Sequence, residues 1–436
     1  MAMLLSAAVG CSEYENTSLS VSESSQTVTE ESTAAETAAA SETPTESSSA
    51  VSEDTGSSSN AVSVAYSSYD SGVLDTADLF SDRDLLQTPD LSDAVSLEVS
   101  DGGTIDITEA GTYVLSGSAN DCTVRVDAGS EAKVQLVLSG VSITNEDFPA
   151  IYVVSADKCF VTSAEGTENA LSVSGDFTSD EETNTDAVIF SKDDLVLNGQ
   201  GSLTVTSFCG NGISCKDDLK VTGGTYNITS ALDAVEANDS MAICGGSFTI
   251  STGKDGFHCE NDEDDSLGWI YIADGTFDIE SSSDGIQGTT AVQIDGGSFS
   301  ITSSEGIEAT YVQINGGNIY IEASDDGINA ARNSTALSTV IEFNGGETTI
   351  IMGQGDTDAV DANGSIYVNG GTIDITAPTS SFDYDQSAEY NGGTIIINGT
   401  QVSEIPSEMM GGPGGMGGGN FGGGMGGHGG FGGGRM

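Results

Sequence analysis

Between Gly201 and Gly393 the chain repeats itself, and that repetition constrains the fold more than any other feature. Units such as "LKVTGGTYNITSALDAVEA", "VQIDGGSFSITSSEGIEA" and "VQINGGNIYIEASDDGINA" recur. The second glycine of each pair, or its single equivalent, falls at Gly201, Gly224, Gly246, Gly275, Gly297, Gly317, Gly346, Gly371 and Gly393. The steps run from 20 to 29 residues, a base period near 21 that carries two long insertions. Within a unit the pattern alternates with period 2: in "GGSFSITSS", Phe299 and Ile301 face one way and Ser298 and Ser300 the other. Each unit therefore holds two or three short strands joined by tight turns, where glycine supplies positive φ angles. No helical stretch is present for a βαβ crossover, and the leucine-rich pattern is absent. A propeller blade would need four strands in about 40 residues. One coil of a parallel β-helix takes roughly 20 to 25 residues, so the reading is an all-β solenoid with coils of about 21 residues.

In such a solenoid equivalent residues stack about 4.8 Å apart, and the columns can be read directly. Cys215, Ala237, Cys259, Ala309, Ala330 and Ala362 form a small, interior column, which makes two cysteines core residues. Phe248, Phe277, Phe299, Ile319, Ile373 and Ile395 form a bulky interior one. The turn signature D-G-I-x gives a third column, in which every member is acidic: Asp233, Asp255, Asp284, Glu305, Asp326 and Asp358. Three residues on runs a fourth, of Glu236, His258, Gln287, Glu308, Asn329 and Asp361.

Two carboxylates about 4.8 Å apart repel by roughly 1 kcal/mol in water and by about 3 to 4 at an effective dielectric of 20. A stack of six calls for a cation, for protonation, or for backbone amides as partners. One insertion, "KDGFHCENDEDDSLG" at residues 254–268, adds Glu260, Asp262 and Asp264 at alternate positions. It is not an EF-hand: the glycine required at the sixth position is missing and the twelfth is Tyr271. Hard oxygen ligands point to Ca2+ over zinc, with the loop folding over Asp255 and Asp284 to complete cation cages. The expected metal ligands are Asp233, Asp255, Glu260, Asp262, Asp264, Asp284, Glu305 and Asp326.

Outward aromatics are the other candidate feature. By alternation Trp269 and Tyr271 flank the inward Ile270, and Tyr311 and Tyr320 also point outward. Flat exposed rings stack on sugar faces, so these four are the expected carbohydrate-binding residues. The competing reading is that each ring covers a strand edge or a neighbouring coil.

A net charge of −58, from 68 Asp plus Glu against 10 Lys plus Arg, excludes nucleic acid as a partner, because phosphate binding needs basic patches. The N-terminus "MAMLLSAAVGCSEYENTS" resembles a bacterial lipoprotein signal with Cys11 as the lipidated residue, although no Lys or Arg precedes it. A remnant of an ordinary secretory signal is the alternative. Residues 12–68 are rich in Ser, Thr and Glu and read as a disordered linker, residues 69–405 as the β-helix, and residues 406–436 as a Gly/Met-rich low-complexity tail. The expected location is extracellular, at the cell surface, with membrane contact only through a lipid at Cys11; a monomer is expected.

The stretch "YVLSGSANDCTVRVDAGSEAKVQLVLSGVSITNEDFPAIYVVSADKCFVTSAEGTENAL", residues 113–171, followed by the GG and DGI coils, resembles a known family. It is similar to secreted bacterial carbohydrate-binding proteins with a right-handed parallel β-helix related in shape to pectate lyases. The resemblance covers roughly residues 90–400. It implies extracellular, calcium-containing binding of plant cell-wall polysaccharide, cellulose and acidic pectin-type sugars, without catalysis. The alternatives are a calcium-dependent polysaccharide lyase and a structural surface adhesin. A lyase needs a basic residue to take the C5 proton, and Lys254, beside Asp255, is the first choice. A carboxylate neighbour would raise its pKa, which is wrong for a base.

Overall fold

The computed structural model of the chain describes residues 61–406, apart from residues 65, 67–71, 182 and 356. The segment containing Cys11, most of the 12–68 linker and the tail beyond residue 406 lie outside the described residues. Those described form strands and turns with no helix. The strands build one long sheet, mostly parallel, wound into stacked coils with three faces. In one coil the first face is Phe257–Cys259, the second Trp269–Ile272 and the third Thr276–Ser281. Each pairs in parallel with its counterparts one coil before and one coil after. On the third face ladder partners between Ser202 and Asn318 are 20 to 23 residues apart in the regular coils and 29 across the insertion at residues 260–268.

The interior columns follow the period-2 pattern. Along Thr276–Ser281 exposed and buried residues alternate strictly, with Phe277 and Ile279 inside. Tyr226, Phe248, Phe277 and Phe299 stack ring on ring, with centroids 5.0, 5.3 and 4.5 Å apart. Each such pair contributes about 0.5–1.5 kcal/mol beyond the area it buries. Tyr226 heads this column, one coil earlier than the sequence reading began it. Cys215, Ala237 and Cys259 also stack as expected, and all three are fully buried. Two glycines show what each turn demands. Gly275 has φ +143°, and a Cβ there would lie 2.8 Å from the Phe277 ring. Gly346 has φ +76°, with the previous coil's backbone 2.7 Å from where its Cβ would stand. Both positions therefore exclude a side chain.

At the turn between the second and third faces an amide ladder ties coil to coil. Asn315 Nδ2 donates to Asp295, Asn344 to Asn315, Asn369 to Asn344 and Asn391 to Asn369, at 2.7–2.9 Å. Strand Thr400–Val402 turns back antiparallel to Thr394–Ile397, so the last parallel strand does not end the sheet as an open edge.

Residues 61–64, 66 and 72–88 lie as a strap across the outside of the second face. Val62–Val64 pair with Leu85–Gln87, although residues 61–64 fall in the stretch read from sequence as linker. Val73 N donates to Gln313, Leu74 N to Gln293, and Gln87 reaches Thr222 and Gly199, three to five coils away. Beneath the strap the outward column of this face is Phe160, Val196, Lys220, Ala242 and Tyr271. Past it, the same column turns to Glu342 and Tyr367. The strap is pinned by Asp84, buried to 1% exposure, with Lys158 at 3.5 Å and Lys220 at 3.9 Å.

Candidate functional site

The site lies along the outer side of the first face. Here the D-G-I turns set the acidic column along this side, with Asp233, Asp255 and Asp284 buried, and the two insertions rise beside it. The first insertion, residues 260–268, meets the second, residues 331–339: Ser334 Oγ donates to the Asp265 carbonyl at 2.6 Å and Thr335 Oγ1 to the Asp265 carboxylate at 2.5 Å. Asn333 Nδ2 reaches Glu308 at 2.8 Å. Both insertions leave the end of the first face, so stacking places them side by side. Together with the column His258, Gln287 and Glu308 they wall a cleft of about 530 Å³, which Lys254 and Glu260 also line.

The acidic column divides into two electrostatically different halves. In the first half the carboxylates are satisfied by protein. Asp255 N–H donates to Asp233 Oδ1 at 3.0 Å, and Asp284 N–H to Asp255 Oδ1 at 2.9 Å. Lys254 Nζ sits 2.8 Å from Asp233 Oδ2 and 3.4 Å from Asp255 Oδ2, and His258 Nδ1 lies 3.4 Å from Asp233. Burial alone would push the Asp233 carboxyl up, but His258 and Lys254 outweigh it and hold it below the ordinary carboxylate value. Burial likewise opposes the charges on Lys254 and His258, and Asp233 and Asp255 overcome it, so both pKa values rise. The Lys254 ammonium thus serves as the counter-charge of both carboxylates. Asp233, Asp255 and His258 each place a ligand atom within 4.8 Å of the others, with the Lys254 ammonium already beside both carboxylates.

Among the described residues no salt bridge reaches Asp284, Glu305 or Glu308 in the second half. Asp284, Glu305 and Glu308 each place a carboxylate oxygen within 4.8 Å of the others. The amide ladder of the column breaks here: Glu305 N–H donates to the Ser283 carbonyl and not to Asp284. Burial, then the neighbouring Asp255, Glu305 and Glu308, push Asp284 up to about 8. Glu305 rises to about 7 by burial and Glu308, against an opposing hydrogen bond from Asn329. Burial raises Asp326 to about 6 and Asp361 to about 7, with further acidic neighbours adding to both. Beside this cluster Asn329 Nδ2 donates to Glu305 at 3.0 Å, while Asn329 Oδ1 is buried without a hydrogen-bond partner. Three carboxylates, no ammonium or guanidinium, and an orphaned amide oxygen fit a hard cation bound through oxygen. Asp326 stands further along, its Oδ1 accepting from Asp358 N–H at 3.1 Å.

The loop carboxylates do not join this group. Asp264 is exposed and accepts from the Ser266 N–H and hydroxyl. Glu260 lies 3.6 Å from His258 Nε2, and Asp262 lines the cleft. The loop closes sideways onto the second insertion instead of over Asp255 and Asp284, because Asn261, hydrogen-bonded to Asp239 at 2.7 Å, holds its base at the neighbouring turn. Glu308 and Asn329 were visible in the fourth column, but nothing in that column marked them as partners of Asp284.

The aromatics fare differently from their alternation. Tyr271 points out of the coil as expected and is nevertheless fully buried, because the strap covers it: its ring meets Tyr66 edge-on and its hydroxyl donates to Asp295 at 2.7 Å. Trp269, half-buried, packs into the same cluster with Phe80 and Leu74. These two therefore form a seat for the strap. Tyr311 donates to Glu342 at 2.9 Å and Tyr320 to Glu322 at 2.5 Å; both are half-buried.

Comparison with known proteins bears on this arrangement. A curated protein of Acetivibrio thermocellus, described as a carbohydrate-binding domain-containing protein, is 40% identical over 192 residues, which is 44% of this chain and 67% of that protein. A solved structure of a polysaccharide lyase-like protein from C. thermocellum, a gadolinium derivative, covers 70% of this chain and 97% of its own at 21% identity. Its TM-score of 0.32 is too low to bear on fold or function. The model of the carbohydrate-binding domain-containing family matches residues 101–359, more than half of the sequence and the whole of the cleft. The chain belongs to the family of carbohydrate-binding domain-containing proteins.

Proposed function

We propose that this protein binds acidic, pectin-type polysaccharide outside the cell, without cleaving it, through calcium held at Asp284, Glu305 and Glu308. The observation that carries the reading is the uncompensated carboxylate cluster, whose Glu308 lines a cleft of about 530 Å³. A chain of net charge −58 and a uronate polymer repel each other. A divalent ion shared between protein and uronate carboxylates joins like charges. The ion would supply Lewis-acid attraction for the uronate oxygens, while Gln287, Thr289 and Asn333 offer neutral hydrogen bonds to sugar hydroxyls. Lyase chemistry finds weaker support. Lys254 is ion-paired to two aspartates and its pKa is raised, so it holds its proton at the pH where a base must lose it.

The test is co-sedimentation with calcium-pectate gel, with calcium and with excess chelator, together with an assay for new sugar ends. Protein in the calcium pellet only, with no new ends, is the expected outcome. Binding unchanged in chelator would remove the calcium bridge, and new ends accumulating with time would make the protein an enzyme.

A further inference from the structure

The limb of the strap from residue 72 to residue 88 is bonded to the coils through side chains, and among the described residues it pairs with them in no strand ladder. Gln313 and Gln293 accept from Val73 N and Leu74 N at 2.8 and 2.9 Å. Lys220 Nζ donates to the Leu79 carbonyl at 2.6 Å, Thr222 Oγ1 to the Asp84 carbonyl at 2.6 Å and Asn198 Nδ2 to the Leu86 carbonyl at 3.1 Å. Phe80 packs with Ala242 and Tyr271. Asp84, 1% exposed, stands between Lys158 and Lys220. On a chain of net charge −58 two largely buried lysines make a specific socket for a carboxylate, and the limb carries the carboxylate that fills it.

The hinge behind this limb has little slack. Gln87 accepts from Gly199 N at 2.9 Å, in the strand Leu195–Gly199. The second-face register runs from Val95 through Tyr113, Leu136 and Val161 to Leu197, so that strand stands four coils from Val95. Four coils are about 19 Å along the solenoid axis. The chain from Gln87 to Val95 reaches at most about 26–29 Å. A turn in which Asp90 accepts from Ser92 N shortens it further. Residues 90–93 are exposed, Leu91 to 49%. A short, stretched hinge of this kind favours docking on a neighbouring copy, where the hinge relaxes and every contact of the limb is kept.

We infer that the seat on the second face is an interaction surface for a second copy of this chain, which docks its limb 72–88 there and receives the first copy's limb in exchange. Across a two-fold axis each Asp84 enters the Lys158–Lys220 socket of the other copy, and each Phe80 enters the other copy's aromatic cluster. The exchanged contacts equal those within one chain, so only concentration and the relief of the hinge decide between them. The sequence reading expects a monomer; the exchanged dimer goes beyond it and is independent of what the cleft binds.

Two full-chain variants test the exchange, Asp84→Lys and Lys158→Glu with Lys220→Glu. Each alone sets like charges against each other in its own seat. Mixed in equal amounts, each limb finds its complement only on the other copy. Light scattering should give each variant the mass of one chain and the mixture twice that mass. Trp269 should be open to acrylamide in the separate variants and protected in the mixture. A chain with all three substitutions restores the pair within one copy and checks that the reversed seat closes and the coils fold. Wild type, warmed at high concentration until Trp269 emission reddens and then cooled, should give a dimer fraction that rises with concentration. A mixture at single-chain mass, or wild type at single-chain mass at every concentration, overturns the inference. So does a wild-type dimer that Asp84→Lys forms equally well, because its interface then lies away from the seat.

Discussion

Lys254 Nζ lies 2.8 Å from Asp233 Oδ2, on the preceding coil, and 3.4 Å from Asp255 Oδ2 on its own. One ammonium thereby neutralises two stacked carboxylates that are themselves almost fully buried. It divides a column that is uniformly acidic in sequence into a compensated part and an open part.

Lys254→Ala leaves two buried carboxylates with only His258 as counter-charge. Removing one partner of a buried pair costs about 3–5 kcal/mol, but the Lys254 side chain is 43% exposed, so solvent screening reduces this to about 1–2 kcal/mol. Denaturant unfolding should report that loss. If Lys254 is no catalyst, pectate binding in calcium should survive the substitution.

The open half makes stability depend on pH. Asp284, Asp361 and Asp326 rise from an ordinary 3.8 to about 8, 7 and 6, chiefly through burial. A carboxyl with a raised folded-state pKa binds its proton more tightly when folded. Its stabilising contribution is therefore full below pH 3.8 and is lost as the pH rises through 6 to 8. In chelator the melting temperature should fall between pH 5 and pH 8, roughly the span of these shifts. Calcium should flatten that slope, and calorimetry in the two buffers checks it.

Calcium affinity should separate the cluster from the loop. Glu305→Gln with Glu308→Gln removes two of three anionic ligands and should weaken binding by more than about tenfold in titration calorimetry. Asp264→Asn should leave it unchanged, because Asp264 points to solvent and caps its own turn at Ser266. Equal losses in both variants would place the ion between loop and column.

The strap has its own reporter. Trp269 is the one tryptophan of the chain and packs in the cluster the strap covers. Asp84→Ala leaves Lys158 and Lys220 without the carboxylate that draws the strap down. Emission from Trp269 should shift to the red and become open to acrylamide quenching before the coils unfold. Unaltered emission would mean that the apolar contacts of Phe80 and Leu74 hold the strap without Asp84.

The amino-acid sequence alone determined the solenoid's coil spacing and its interior. Phe277 stacks on Phe248, and Cys259 on Ala237, because strand alternation and coil-to-coil hydrogen bonds are enforced at every step, so their trace is periodic. Tertiary structure alone decided which acidic residues are free and which rings are exposed. Asp255 and Asp284 look alike in the repeat, yet only the former has the Lys254 ammonium beside it. Tyr271 points outward by pattern and is buried by a strap whose own anchor, Val73 to Gln313, joins residues 240 apart. Periodicity records the contacts that recur in each coil. Charge compensation and coverage depend on single contacts between distant segments, which leave no periodic mark.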